Sequence, residues 1–197
     1  MNAKLNILRL KGAEIIPYIP TLAKLRIEIF KAYPYLYIGD LRYEMNYLQV
    51  YVNCSESIVV LVLDHDKVVG ASTAIPLAFE TIELKKPFID NNINIKNVFY
   101  FGESVLQPEY RGRNIYRHFF EEREKAAKEN DCTIAAFAAI ERAKDDPRRP
   151  KGYVSLDSIW KHFGYEKHPE LCAYFAWKEV GESTQTTKPL IFWLKTL

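Results

Sequence analysis

A cluster of basic residues lies at the start of a segment with helical periodicity. Arg111, Arg113, Arg117 and His118 follow one another closely, with Gly112 between the first two arginines. A helix N-terminus already carries about half a positive charge and several free N–H groups. Basic side chains there are disfavoured by about 0.3–1 kcal/mol each, and a bound anion would relieve that repulsion. The pattern therefore predicts a phosphate-binding site.

The same basic residues also suit an exposed face that binds nothing. Glu121 follows Arg117 by four positions and could partly neutralise it, although exposed ion pairs contribute little to stability. A further interpretation, in which the cluster grips RNA, lacks the broad basic surface that RNA binding needs. Charge alone leaves the phosphate site and the exposed face equally open.

The elements that position this cluster are predicted as a strand, a turn, a helix and a second strand. Residues 98–106 are β-branched and aromatic, as in a buried strand, and Pro108 ends the run. Helical spacing continues to Asn130, and residues 133–140 form another apolar strand, which predicts a parallel βαβ unit. The apolar stripe of the helix leaves the following residues for solvent: Glu121, Arg123, Glu124, Lys125 and Lys128.

Further strands and helices are predicted around this unit. Strands are expected at 5–10, 58–63, 68–75, 171–180 and 190–197, and helices at 14–30 and from 41, with Asp40 as N-cap. A short helix at 155–162 is expected to turn Leu156, Ile159 and Trp160 inward. Residues 76–97 contain Pro87 and paired asparagines and are predicted to be irregular. No repeat or linker interrupts the chain, so residues 1–197 are predicted to be one domain.

Composition excludes several classes of protein. Hydrophobic residues make up 48% of the chain and the formal net charge is +2, which argues against disorder and gives no support for a nucleic-acid or membrane partner. The cysteines, Cys54, Cys132 and Cys172, lie far apart, and the histidines show no ligand spacing, so no metal site is predicted. Without a signal peptide or an apolar stretch of membrane length, the sequence predicts a cytoplasmic protein.

The order of the predicted elements resembles the GNAT superfamily of acyl-CoA-dependent N-acyltransferases. Residues 106–115, LQPEYRGRNI, are similar to the family's signature of an apolar residue, a proline and a Q/R-x-x-G-x-G/A loop opening a helix. Residues 159–165, IWKHFGY, are similar to its later LYEKLGF segment, and the clear match spans residues 98–165. The resemblance implies an α/β (α+β) fold. Its central sheet would be mixed and mostly antiparallel, with one parallel strand–helix–strand unit and flanking helices.

The resemblance also implies a co-substrate, acetyl-CoA or a related acyl-CoA, bound beside strand 98–106 without a metal. Backbone groups of Ser104, Val105 and Leu106 would contact its pantetheine arm. The residues implied for the diphosphate are Arg111, Gly112, Arg113, Asn114, Ile115, Tyr116 and Arg117.

Three positions depart from the pattern of the family. Asn114 and Tyr116 fall where the family has glycine and glycine or alanine, so their side chains must turn away from the phosphates. Tyr116 is predicted to pack under the helix beside Phe120. Trp160 falls on the family's usual tyrosine acid and has no acidic proton to give.

Two residues are candidates for catalysis. Glu103 is a carboxylate within an apolar strand, where burial suits a proton acceptor. It could instead pair with a neighbouring arginine or tyrosine as a structural group. Tyr153 is the nearest alternative acid, and simple packing is the competing interpretation of that residue.

The sequence therefore predicts an N-acetyltransferase that moves an acetyl group from acetyl-CoA to a primary amine of a small molecule or a protein. The alternative is a non-catalytic domain that binds or senses acyl-CoA. This alternative stays open because Trp160 has no acidic proton to give. A cluster of tyrosines could cover a cationic or planar acceptor, or could be ordinary packing: Tyr33, Tyr35, Tyr37, Tyr43 and Tyr47. The sequence leaves open whether the protein forms a homodimer.

Overall fold

The computed structural model describes residues 5–197, and its centre is a seven-stranded sheet with the order β1-β2-β3-β4-β5-β7-β6. All neighbouring strands are antiparallel except β4 and β5, which are parallel. The predicted sheet, mostly antiparallel with one parallel unit, is confirmed. The strands are β1 (Asn6–Leu10), β2 (Ile58–Asp64), β3 (Lys67–Pro76), β4 (Val98–Leu106), β5 (Ile134–Ile140), β6 (Glu166–Lys178) and β7 (Gln185–Thr196).

Helices cover both faces of the sheet and divide the apolar core in two. One core contains Leu22, Leu48 and Phe88, and the other contains Phe119 and Phe120. Among the residues that the structure describes, no helix combines the length and apolar character needed to cross a membrane. The first face carries α1 (Ile19–Phe30), α2 (Leu41–Tyr47), α3 (Gln49–Val52) and α4 (Ile82–Asp90), and the second carries α5 (Ile115–Glu129) and α6 (Asp157–His162).

The prediction that residues 76–97 are irregular is wrong, because this stretch contains α4. Leu84 and Phe88 are four positions apart and both are buried. The ring of Phe88 packs edge-on against Phe192, with 4.8 Å between the ring centroids. This packing outweighs the local effect of Pro87, which lies within the helix.

Two predictions about side-chain burial are also wrong. Arg123 was expected in solvent and is only 2% exposed. In α6, Leu156 and Ile159 are exposed, and Trp160 alone among the three predicted residues packs inward, against Phe137 and Trp193. Because α6 has only six residues, it presents a single turn to the core, and the large indole of Trp160 occupies that turn.

The pairing of β4 with both neighbours changes midway along the strand. Towards β5, the pairs are limited to Val98–Ile134, Phe99–Ala135 and Tyr100–Ala136, and the two strands then separate. Towards β3, Ser72 pairs with Ser104 and Ala74 with Phe101, so Thr73 alone stands opposite Gly102 and Glu103. This irregularity is a β-bulge, a feature that bends a strand and redirects its side chains.

Candidate active site

A cavity of about 620 Å³ opens where β4 and β5 separate. Its walls come from β4 at the bulge, from β5 and β7, from the first half of α5, from residues 33–35 after α1, and from the loop between β5 and α6 together with α6 itself. The polar side chains that matter below are Glu103, Ser104, Tyr116, Arg123, Tyr153 and Trp160. The cavity therefore brings together four predicted site residues, Glu103, Ser104, Tyr116 and Tyr153. Of the others, Val105 and Leu106 are buried in the core. The remaining six lie in the turn before α5 or in its first turn: Arg111, Gly112, Arg113, Asn114, Ile115 and Arg117.

Glu103 lies on the bulge and forms an ion pair with Arg26 of α1. The Nε of Arg26 also donates to Glu44 at 2.5 Å, and the hydroxyl of Tyr37 donates to the second oxygen of Glu44 at 2.7 Å. Glu44 and Glu103 are both buried. The arginine partner that the sequence left open is therefore present, and Glu103 is also one of the residues that line the cavity.

A second buried carboxylate, Glu80, lies near this ion pair. It is 3% exposed, and one of its oxygens accepts from the Thr81 N–H at 3.3 Å. The other oxygen has no hydrogen-bond partner among the residues the structure describes. Burial raises the pKa of Glu80 to about 7, the charge of Glu103 adds to the rise, and Arg26 opposes it. Sequence analysis missed Glu80, because its exposed neighbours Phe79 and Thr81 give no sign of burial.

Arg123 holds the bulge from the α5 side of the sheet. Its Nη1 donates to the backbone oxygen of Glu103 at 3.3 Å and its Nε donates to the oxygen of Phe119 at 3.0 Å. The guanidinium lies 4.4 Å from the ring centroid of Phe101 and 5.0 Å from that of Phe120. A signal was present, since Arg123 follows buried Phe119 by one helical turn and so falls on the apolar stripe.

Tyr116 and Trp160 meet at the cavity wall. The indole Nε1 of Trp160 donates to the hydroxyl oxygen of Tyr116 at 3.0 Å. As predicted, Tyr116 packs beside Phe120, with 5.2 Å between ring centroids. Burial raises the pKa of Tyr116, which the hydrogen bond from Trp160 and the neighbouring Ser104 partly oppose. The phenol is therefore protonated at neutral pH.

Tyr153 contributes to the cavity from the loop between β5 and α6. Its ring packs edge-on against Tyr33, with centroids 4.7 Å apart, and burial raises its pKa. Tyr33 and Tyr35 also line the cavity, whereas Tyr43 is 61% exposed and points elsewhere. The predicted tyrosine cover is thus only partly assembled around the cavity.

The first turn of α5 presents backbone N–H groups without a side-chain cap. Asn114 precedes the helix in the left-handed conformation, with φ of 61°, and accepts no N–H from the turn. Asparagine is one of the few residues other than glycine that adopt this conformation readily. Gly112 has φ of 74° and open space where a side chain would lie. The departure at Asn114 therefore preserves the backbone shape that a glycine would give.

The arginines beside this turn have no acidic partner within 4 Å in residues 5–197. Arg111 donates to the backbone oxygen of Leu106 at 3.4 Å, and Arg113 donates to the backbone oxygen of Glu109 at 3.0 Å. Arg117 donates to the Asn114 side chain at 3.3 Å. Glu121, which the sequence placed near Arg117, lies instead against His118 at 3.3 Å. Glu121 therefore does not neutralise Arg117, contrary to one interpretation of the sequence.

Solved structures of other proteins are similar to this chain over nearly its whole length. No protein-family model and no curated protein matches the chain. A ribosomal-protein-alanine N-acetyltransferase from Brucella melitensis has a similar structure, with TM-score 0.60, 16% identity and coverage of 96% of this chain and 99% of the other. An acetyltransferase of the GNAT family from Staphylococcus aureus gives TM-score 0.61 and 16% identity, covering 98% and 99%. The chain has the GNAT fold.

A third structure of this fold contains a ligand. The PaiA N-acetyltransferase from Thermoplasma acidophilum, in complex with coenzyme A, gives TM-score 0.55 and 13% identity, covering 98% of this chain and 99% of the other. The GNAT fold that LQPEYRGRNI implied is thereby confirmed over nearly the whole chain. Among the described residues of this GNAT fold, no group of three His, Cys, Asp or Glu side chains could hold a metal ion.

Proposed function

We propose that the protein is an N-acetyltransferase that moves an acetyl group from acetyl-CoA to a primary amine of a small molecule or a protein. One observation carries the proposal. The cavity between the separated ends of β4 and β5 lies beside the N-terminus of α5. Within residues 5–197, the N–H groups there have no side-chain cap and the neighbouring arginines have no carboxylate partner. Such a terminus binds phosphate groups well.

The residues present fit acetyl-CoA. Arg113, Arg117 and the first N–H groups of α5 would hold the diphosphate, with Arg111 and Gly112 alongside. Beyond Tyr100, the edge of β4 that faces β5 has no strand partner within residues 5–197. Backbone groups at Ser104 and Val105 are therefore available for the amides of the pantetheine arm, whereas the Leu106 oxygen accepts from Arg111. Acetyl-CoA supplies the activated acyl group.

Glu103 is the group that we assign to the acceptor amine. Acyl transfer requires a neutral amine, so a carboxylate must take its proton directly or through one water. Glu103 lines the cavity and is held in place by Arg26 and by the backbone bond from Arg123. The aromatic walls at Tyr33 and Tyr35 support an amine that arrives as a cation.

A second function, non-catalytic binding of acyl-CoA, is favoured by one observation. The Glu103 carboxylate is already engaged by Arg26, as expected for a structural group. The two functions differ in their response to Glu103→Gln. An enzyme loses turnover and retains CoA binding, whereas a binding domain shows no transfer before or after the change.

The proposal is tested first by calorimetric titration with coenzyme A and with pantetheine, which lacks the diphosphate. Arg113→Gln is expected to weaken binding of coenzyme A and leave binding of pantetheine unchanged. Arg42→Gln is the matched control, because it removes one positive charge from an exposed position on α2. Equal effects of both variants on both ligands would overturn the diphosphate assignment.

Turnover is measured by following free thiol while acetyl-CoA is mixed with a panel of amines and amino-terminal peptides. Thiol release above hydrolysis, together with an acetylated amine identified by mass, is the expected result. Release that never exceeds hydrolysis with any amine would favour the binding domain. We also place this activity in the cytoplasm, because all three cysteines are free thiols, as in a reducing compartment.

A further inference from the structure

The leaving thiolate needs a proton, and the usual donor of the GNAT pattern is replaced by Trp160. We infer that Tyr116, at the start of α5, is the general acid of this enzyme and that Trp160 is its positioning residue. The inference rests on the proposed acetyl transfer and identifies the acid of that reaction. The observations that carry it are the placement of the Tyr116 hydroxyl on the cavity wall and its hydrogen bond from the Trp160 indole at 3.0 Å.

The side chains of Glu103 and Ser104 point to opposite faces of β4. The side chain of Glu103 turns towards α1, where it meets Arg26. The next residue, Ser104, turns towards α5 and the Tyr116 hydroxyl, as the alternation of a strand requires. The amine and the sulfur occupy different sides of the reacting carbonyl carbon. A base on the α1 face therefore calls for an acid on the α5 face.

The other phenols of the cavity do not meet this requirement. Tyr33 and Tyr35 follow α1 in the chain. The rings of Tyr33 and Tyr153 pack against each other, and the ring of Tyr35 packs against Phe30 at the end of α1. Tyr116 is the phenol that approaches from α5, and it is half-buried, so that its hydroxyl remains accessible from the cavity.

The hydrogen bond from Trp160 excludes one direction for the Tyr116 proton. An indole N–H can only donate, so the Tyr116 oxygen must accept from it and cannot point its own proton at Trp160. The same N–H stabilises the negative charge that the phenol oxygen acquires when it gives up its proton. Trp160 thus retains a role at the family's acid position without an acidic proton of its own.

The step balances as follows. The amine enters the step neutral, its first proton having passed through Glu103 to solvent. Its nitrogen forms a bond to the carbonyl carbon of the thioester, and the carbon–sulfur bond breaks with its electron pair on sulfur. Glu103 takes a proton from the nitrogen, and Tyr116 gives its hydroxyl proton to the sulfur. The proton on Glu103 then returns to the Tyr116 oxygen through solvent. The products are an amide and the free thiol of coenzyme A.

The test compares Tyr116→Phe with the wild-type protein in kcat, in KM for acetyl-CoA and in calorimetric affinity for coenzyme A. We expect kcat to fall about a hundredfold or more, with the affinity for coenzyme A unchanged. The loss should shrink when acetyl-CoA is replaced by an acetyl thioester of a more acidic thiol, because that leaving group needs less help. Tyr165→Phe is the control: it removes a buried hydroxyl, bonded to Glu124, that lies outside the cavity.

A second readout does not depend on turnover. In the complex with coenzyme A, the thiol is titrated by its thiolate absorbance, and Tyr116→Phe should raise the apparent pKa of the bound thiol. Trp160→Phe should shift it in the same direction by a smaller amount. If Tyr116→Phe keeps wild-type kcat, or loses it only through weaker binding of coenzyme A, the assignment is wrong. If Tyr153→Phe alone abolishes kcat, Tyr153 is the acid instead.

Failure of the proposed acetyl transfer would give a different result from failure of the acid role of Tyr116 alone. Wild-type protein that binds coenzyme A but acetylates no amine would overturn the transfer reaction, and the acid role of Tyr116 with it. Wild-type protein that turns over, combined with an active Tyr116→Phe variant, would overturn only the acid role.

Discussion

Replacement of Glu80 by glutamine should make the protein more resistant to unfolding at alkaline pH than at acidic pH, relative to the wild type. Burial raises the pKa of Glu80 from its usual 4.5 to about 7, so the folded protein holds this proton more tightly than the unfolded chain does. The protonated carboxyl of Glu80 makes its full contribution to the free energy of unfolding below pH 4.5. It is lost as the pH rises through about 7.

The magnitude follows from the two pKa values. Their difference, at about 1.4 kcal/mol per pKa unit, corresponds to about 3 kcal/mol between the acidic and alkaline limits. Most of this change falls between about pH 5 and about pH 8, where it amounts to about 2–3 kcal/mol. Glutamine does not ionise, so a Glu80→Gln variant lacks this component. The side chain is 3% exposed, so solvent screening reduces the effect little.

The assay is urea unfolding of both proteins at a series of pH values. The free energy of unfolding of the variant minus that of the wild type should increase with pH across this window. An unpaired N–H of the new amide would shift the whole curve downward and leave its slope unchanged, so the slope is the readout. Glu83→Gln, on the exposed side of α4, controls for loss of one charge. Parallel curves for Glu80→Gln and the wild type would refute the reasoning.

Three further substitutions test other parts of the structure. Gly102→Ala should lower the free energy of unfolding by about 1–3 kcal/mol in urea denaturation, because its Cβ would meet the Tyr51 hydroxyl and lie 2.6 Å from the Thr73 Oγ1. Arg117→Gln should weaken coenzyme A binding about fivefold to tenfold at low salt, with a smaller effect in high salt. Glu179→Ala should cost about 3–5 kcal/mol, measured in the same way, because it leaves Arg142 and Arg148 without the buried carboxylate that each contacts at 2.5 Å.

Each of these has a control within the chain. Gly181→Ala tests a glycine with nothing within 4 Å of the added carbon, although its φ of 88° carries some backbone strain. Arg42→Gln is the control for Arg117→Gln. Glu182→Ala removes a more exposed carboxylate near Lys188 and should cost much less than Glu179→Ala. Equal destabilisation by the two glutamate variants would contradict the role given to buried Glu179.

The elements that sequence analysis found correctly are those with a strong local pattern. Strand β4 follows from a run of β-branched and aromatic residues, and helix α5 from apolar residues with a period of 3.6. Asp40 does cap α2, accepting the Tyr43 N–H at 2.8 Å. Helix α4 was missed because Pro87 is a strong local signal against a helix. Its buried partner Phe192 lies far along the chain, where no local pattern reveals it.

The candidate site was only partly predictable for the same reason. Glu103 was predicted as a candidate base because it is a carboxylate within an apolar strand, whereas Tyr116 was named only as a departure from the glycine or alanine of the family pattern. The partner of Glu103, Arg26, lies far away in sequence on α1 and resembles any other arginine of an amphipathic helix. The hydrogen bond between Trp160 and Tyr116 joins α6 to α5, so neither sequence motif alone reveals that the two departures from the family pattern contact each other.

The bulge of β4 explains how the proposed base, Glu103, and the proposed acid, Tyr116, can face one cavity from opposite sides. Before it, Tyr100 belongs to the core beneath α1 and Phe101 to the core beneath α5. Strict alternation would then send residue 103 towards α5. After the bulge, Val105 belongs with Tyr100 and Leu106 with Phe101, so the order of the faces has shifted by one residue. The shift turns Glu103 to Arg26 and the acceptor side, and it leaves the α5 side of the cavity to Tyr116.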